Sequence, residues 1–283
     1  MTGRVTIVNS SEVEVVLATS ALQTSANASL TAMDATLSNL DDKLDDYLDI
    51  ARGFYPTISH VNKFGRNADV DAGTEDLWAQ GGLYVQATAE SVVNFASSSA
   101  LDTAAGTGAR TVTITGIDGS NNEVSETITL LGATNVPTAN SYIFISRALV
   151  ATAGSGAANA GTITGTATGG GLPLLISIAI GINQSQLGLY LIPTGKTGYL
   201  TNWGASFYSA TAGAQVEVRL MVKPSGGVFN MKDNVHLFTG GATAFMKSKQ
   251  PPIKCPALSL IKMQVVTTNA NNDVSGNFDL VLI

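Results

Sequence analysis

Residues 110–130 read RTVTITGIDGSNNEVSETITL, a pattern that suits a β-hairpin and little else. Val112 and Ile114 alternate with Thr111, Thr113 and Thr115. After a turn at 118–122, Val124, Ile128 and Leu130 alternate with Ser125, Thr127 and Thr129. A period of two puts the apolar set on one face of a strand and the hydroxyls on the other. Threonine suits an exposed strand position. The same texture recurs along the chain. SYIFISRALV and GTITGTAT read as a second pair across a Gly/Ala loop at 153–161, and LGLYLI and GYLTNWGASFYSA flank a turn at 193–198. AQVEVRLMV places Val216, Val218, Leu220 and Val222 on one face, with Glu217 and Arg219 on the other. SLIKMQVVTT and GNFDLVLI close the chain around turn residues 269–272. Many short strands broken by Gly, Pro and Asn specify a mainly β chain, an antiparallel β-sandwich or jelly roll. The β region is expected to form either two parts, 55–170 and 171–283, or one continuous domain. No strict repeat indicates a propeller or a solenoid.

The first 54 residues differ. Val5, Ile7, Val13 and Val15 suggest an extended segment, after which a helical period begins. Leu30, Met33, Leu37, Leu40, Leu44, Tyr47, Ala51 and Phe54 are spaced alternately by three and four, a heptad seam with apolar a and d positions. Asp34, Asp41, Asp42, Lys43, Asp45, Asp46 and Asp49 lie off it, and Gly53 and Pro56 stop the helix. The stripe is narrower than the apolar face of a helix lying on a core. The expectation is therefore a short N-terminal helix forming a parallel coiled coil, with those eight residues as the oligomer interface. A trimer is the favoured state, although leucine at both a and d does not fix the strand number. The aspartates at 41–49 lack the alternate ligands, central Gly and terminal Glu of a calcium loop and read as a solvated helix face.

Charge narrows the function. Charged residues make up 13% of the chain, against about 25% in an ordinary soluble domain. Between 127 and 195 there is one charged side chain, Arg147. Such a neutral segment suits a surface facing other subunits, or else a neutral polar exterior. The sequence pI of about 4.8 argues against nucleic acid as a partner. The sparse lysines Lys247, Lys249, Lys254 and Lys262 are interrupted by Pro251 and Pro252 and do not make a phosphate-binding patch. Cys255, the one cysteine, excludes an intrachain disulfide and is expected as a buried reduced thiol. The N-terminus lacks the signal-peptide pattern, and the apolar run 171–182 is too short to span a bilayer, so no membrane insertion is expected.

The parts of an active site are scarce. His60 and His236 stand in unrelated sequence, and no serine has nucleophile-elbow context. The Gly-rich stretches near Gly106 and Gly161 match neither a phosphate loop nor a dinucleotide fingerprint and read as tight turns. Glu75, Asp76, Glu90, Glu123, Glu126 and Glu217 are the carboxylates a glycosidase could draw on, but Trp78 and Trp203 make a thin aromatic platform. Glu75 and Asp76 suit a turn cap. No catalytic, cofactor-binding or metal-ligating residue is expected, and the chain reads as a non-enzyme.

The segment GFYPTISHVNKFGRNADVDAGTEDLWAQGGLY, followed by ARTVTITGIDGSNNEVSETITL and YIFISRALVATAGSGAANAGTITG, resembles virion structural proteins of tailed bacteriophages, especially short-tailed phages from aquatic environments. The resemblance covers residues 53–165. It implies a structural, head-fibre, decoration or tail-associated component and carries over no functional residue. Its expected partners are further copies of itself in a homotrimer and other virion proteins, such as major capsid, neck or tail proteins, with the virion as its location. A tail or neck component that binds host glycans is the alternative reading, with Trp78, Tyr84 and Tyr208 as the aromatics to watch. A depolymerase-like enzyme comes third.

Overall fold

The computed structural model describes residues 6–8, 14–16, 20–168, 173–241 and 243–283, with backbone alone at 6–8, 14–16, 20, 22 and 38–47. The chain divides into two compact units, residues 1–57 and 58–283.

In the first unit, β1 (Thr6–Val8) pairs antiparallel with β2 (Glu14–Val16). A single helix follows, α1 (Ser20–Arg52), 33 residues long and therefore about 50 Å. It starts ten residues before the heptad seam, because SALQTSANAS supplies helix-forming Ala, Leu and Gln without an apolar stripe. Its end is a Schellman cap. Gly53 adopts φ 75°, its N–H donates to Ile50 O at 3.1 Å, and Phe54 N–H donates to Asp49 O at 2.9 Å. Two otherwise orphaned carbonyls are thereby satisfied.

The second unit contains two β-sandwiches, one inserted into the other. The outer one begins with β3 (Ser59–Val70) and β4 (Gly73–Asp76). It resumes with β12 (Leu189–Leu191), β13 (Gly198–Tyr208), β14 (Gln215–Lys223), β15 (Asn230–Phe238), β16 (Ala244–Cys255), β17 (Leu260–Thr267) and β18 (Asn272–Leu282). One sheet has the order β16-β13-β18-β3. The other runs β15-β14-β17, with β12 and β4 both paired to β17. All their pairings are antiparallel. Their facing side chains, including Leu200, Trp203, Val218, Leu220, Met263, Val265 and Phe278, meet in one buried cluster.

The inserted sandwich holds β5 (Ser91–Ser97), β6 (Ala109–Ile117), β7 (Glu123–Thr129), β8 (Val136–Tyr142), β9 (Phe144–Ala153), β10 (Ile163–Ala167) and β11 (Leu174–Ile178). Its sheets are β11-β10-β5-β8 and β7-β6-β9, with a core built around Phe95, Ile114, Tyr142, Phe144, Ile163 and Ile176. The chain leaves and re-enters at one place. Trp78 and Leu187 form a bridge, and Gly188 N–H donates to Leu77 O at 2.8 Å. Gly65 of β3 passes so close to this crossing that a Cβ there would collide with Leu77 O and Gly188 N.

Of the two expected alternatives, parts at 55–170 and 171–283 or one continuous domain, residues 58–283 form one compact unit, and its strands do not group on either side of residue 170. β3 and β4 belong with the C-terminal strands, because β3 pairs with β18 over the register Ser59↔Leu282 to Asn272↔Val70. The expected pairing of SYIFISRALV with GTITGTAT is also corrected. β9 pairs with β6, whereas β10 lies between β5 and β11 in the facing sheet. Alternation shows which side of a strand faces a core, but it does not choose the hydrogen-bonding partner. The hairpin at 110–130 does form, in the register Val112↔Ile128 and Ile114↔Glu126, with Val112 and Ile114 buried.

Candidate assembly surface

On α1 the seam residues Leu30, Met33 and Leu37 are 63%, 60% and 64% exposed, and Ala51 is exposed as well. Leu40, Leu44 and Tyr47 lie on the same helix, but their side chains are outside those described. Phe54, 75% exposed, sits past the helix end in the cap. Between Leu30 and Leu37 the helix carries small residues, Thr31, Ala32, Ala35 and Thr36, and one acid, Asp34. Thr31 and Thr36 turn their hydroxyls back to Asn27 O at 2.9 Å and Ala32 O at 2.8 Å. Near its C-terminus, Arg52 pairs with Asp49 at 3.5 Å, well exposed to water. Cations favour this end of a helix dipole. The backbone of residues 41–49 is helical, and the side chains of most of that aspartate run also lie outside the description.

The carboxylates singled out from sequence are held in structural bonds and are not gathered at one site. Glu75 accepts from Asn67 Nδ2 at 2.6 Å, Asp71 N at 2.9 Å and Gly82 N at 2.7 Å, clasping the turns on either side of β4. Asp76 is buried and pairs with Lys262 Nζ at 2.7 Å, also accepting from Tyr84 N at 2.9 Å. Glu90 accepts from Gly119 N at 3.1 Å. Glu126 accepts from Ala139 N at 2.8 Å, Asn140 N at 2.9 Å and Tyr142 Oη at 2.9 Å. Glu217 is held below its ordinary value, chiefly by the hydrogen bond from Arg219, 2.5 Å away. Glu123 is pushed up by burial. Of the two histidines, His60 stands 3.6 Å from Asp279, while His236 lies on β15 opposite Glu217. Among the described residues no group of three His, Cys, Asp or Glu side chains could hold a metal ion, and no helix is long and apolar enough to cross a membrane.

The lysines noted in sequence are divided among partners. Lys247 and Lys249 both meet Asp233, and Lys262 meets Asp76. Of the aromatics, Trp78 is buried and stacks edge-on with Tyr84 at 5.2 Å, whereas Tyr208 is 69% exposed.

Sequence reasoning passed over one carboxylate that organises a whole loop region. Asp102, fully buried, accepts from Ser97 Oγ at 2.5 Å, Ala109 N at 2.7 Å, Ala160 N at 2.8 Å and Gly161 N at 3.0 Å. The Gly-rich stretches near Gly106 and Gly161 wrap around it, and a Cβ at Gly108 would collide with its Oδ1. The available signal was the clustering of glycine in two separate loops, which marks close backbone approach.

No family model and no curated protein matches the chain. Among solved structures, it is similar to the VP2 subviral particle of infectious bursal disease virus at 9% identity, covering 80% of this chain and 72% of that one, with a TM-score of 0.24. The structure of the Gx strain of the same virus matches at 10% identity, covering 80% and 76%, with a TM-score of 0.19. TM-scores this low give the superpositions no weight for fold or for function.

Proposed function

We propose that the chain is a non-enzymatic structural protein of a virus particle, a trimeric head fibre, spike or decoration protein attached through its N-terminus. The observation that carries this reading is the exposed seam of Leu30, Met33 and Leu37 on a 33-residue helix. In proteins most helix stability comes from packing an apolar face, and a leucine stripe at heptad spacing is buried by a second copy of the same helix. The strand order supports it independently. β3, β18, β13 and β16 face β4, β17, β14 and β15, which is the double Greek key of a jelly roll, an architecture found in capsid and lectin domains. The phage-like texture of residues 53–165 points the same way. In this reading β1 and β2 dock to the particle, the helices set the register, and the sandwiches project.

Light scattering on the full chain and on a chain without residues 1–57 tests the association. A trimer that falls to monomer on truncation agrees with the proposal, while a monomer in both forms removes it. Gold-labelled antibody on purified particles tests the location. A second reading, a tail or neck module binding host glycan, draws on the exposure of Tyr208. Saturable glycan binding that is lost in Tyr208→Ala would favour it.

A further inference from the structure

The two sandwiches meet where β3 of the outer one passes β9 of the inserted one, and a cleft of about 340 Å³ opens there, lined by Lys63, Arg147, Tyr190, Glu123, His60 and their neighbours. Three of its polar groups are unusual for a structural junction. Lys63 is 3% exposed, and among the described residues its ammonium has one hydrogen-bond partner, the Ser146 carbonyl, with no carboxylate at ion-pair distance. Arg147 lies beside it, spending one Nη2–H on Asn62 O at 2.6 Å and pairing with no acid among those residues. Tyr190 is 3% exposed, and its buried hydroxyl has no hydrogen-bond partner.

Each of these is costly alone. A buried ammonium that spends one of its three donors on protein, and a buried unpaired hydroxyl, are each destabilising, and a second cation beside the first adds repulsion. A charge pair with a carboxylate would have relieved this, yet Glu123, the one acid lining the cleft, is not within ion-pair distance of either cation. The unmet demand is for acceptor oxygens carrying negative charge, within a volume suited to a small molecule.

We propose that this cleft is a binding site for a small oxyanion, with Lys63 and Arg147 supplying the charge and Tyr190 Oη donating a hydrogen bond. Burial, and then the neighbouring Arg147, hold Lys63 at about 7. A bound anion restores its proton, so occupancy is coupled to proton uptake against the background of Glu123, His60, Arg147 and Tyr190. Lys63 comes from the outer sandwich, and Ser146 and Arg147 come from the inserted one, so the ligand would bridge the two.

The test is a thermal-shift and calorimetric titration of the full chain with inorganic phosphate, sulfate and acetate, against chloride at matched ionic strength. The expected result is a saturable rise in Tm with at least one oxyanion and none with chloride. Tyr190→Phe should raise the ligand-free Tm, since it removes a buried hydroxyl with no protein partner, and weaken binding about tenfold. Lys63→Met should abolish the ligand-dependent rise. If Lys63→Met fails to fold, the Tyr190→Phe comparison decides. The absence of a saturable oxyanion response, or a response undiminished in Tyr190→Phe, overturns the proposal.

Discussion

The indole N–H of Trp203 donates to Asp233 Oδ2 at 3.1 Å, joining a fully buried residue of β13 to the facing sheet. The same oxygen is met by Lys247 at 3.1 Å and by Lys249, both on β16. One carboxylate on β15 therefore ties the edge strand of the opposite sheet across the open side of the outer sandwich. Apolar closure is incomplete at this side, and Met231 and Met246 are 52% and 70% exposed. Phe245 covers Trp203, with ring centres 5.0 Å apart.

Burial pushes the Asp233 carboxyl up, but the hydrogen bonds from Lys249, Lys247 and Trp203 outweigh it and hold it at about 2, against an ordinary 3.8. The folded value lies below the unfolded one, so the stabilisation is fully present above about pH 4 and disappears as pH falls from there towards 2. With Lys247 half exposed, the contribution is about 1–2 kcal/mol. Urea unfolding from pH 5 to pH 2 should show this loss, and Asp233→Asn should flatten that limb of the profile.

Asp102→Ala should destabilise far more than its loop position suggests. The substitution strands the N–H groups of Ala109, Ala160 and Gly161 in a buried site. The expected cost is at least about 3 kcal/mol, which lowers Tm by roughly 6–12 °C for a unit of this size. Differential scanning calorimetry checks it, and a change under about 1 kcal/mol contradicts the bonding described.

Placing charge on the helical seam should separate association from folding. The double variant Leu30→Asp, Leu37→Asp is expected to sediment as a smaller species at every concentration. Its near-ultraviolet circular dichroism should stay unchanged, because Trp203 and Trp78 sit in the cores of the second unit. An unchanged sedimentation coefficient would move the interface away from α1.

Cys255 is fully buried, and burial pushes its thiol up to about 11. Thiolate is the reactive form. At pH 8 the native protein should react with Ellman's reagent at less than about a tenth of the rate seen in guanidinium. Fast native labelling would mean that β16 opens readily from β13.

The sequence disclosed local geometry well and long-range pairing poorly. Val216, Val218, Leu220 and Val222 do turn to one buried face of β14, because a period of two fixes a face wherever one side is buried. That β3 neighbours β18 could not be read, since nothing within SHVNKFGRNADV names a partner more than 200 residues away. The same limit hid the insertion and the cleft, whose Lys63 and Arg147 are brought together only when the two sandwiches meet. Asp102 was overlooked for a related reason. It owes its role to backbone amides, which carry no residue signature. On α1 the heptad spacing and the exposed Leu30, Met33 and Leu37 coincide, but spacing alone does not count the helices that meet there.

Because β18 lies between β13 and β3 and follows both in the sequence, synthesis imposes an order on folding. Every strand of the inserted sandwich, residues 91–178, is made more than ninety residues before β18 begins. It is therefore free to close while translation continues. The outer sandwich lacks a central strand until β18 emerges, and its high sequence separation slows closure further. A nascent chain would thus carry a finished module at its middle and two unpaired sheet edges on either side of the gap, β3 and β13. A chain without β18 would leave those edges open to other chains, so this one strand guards each copy against edge-to-edge pairing.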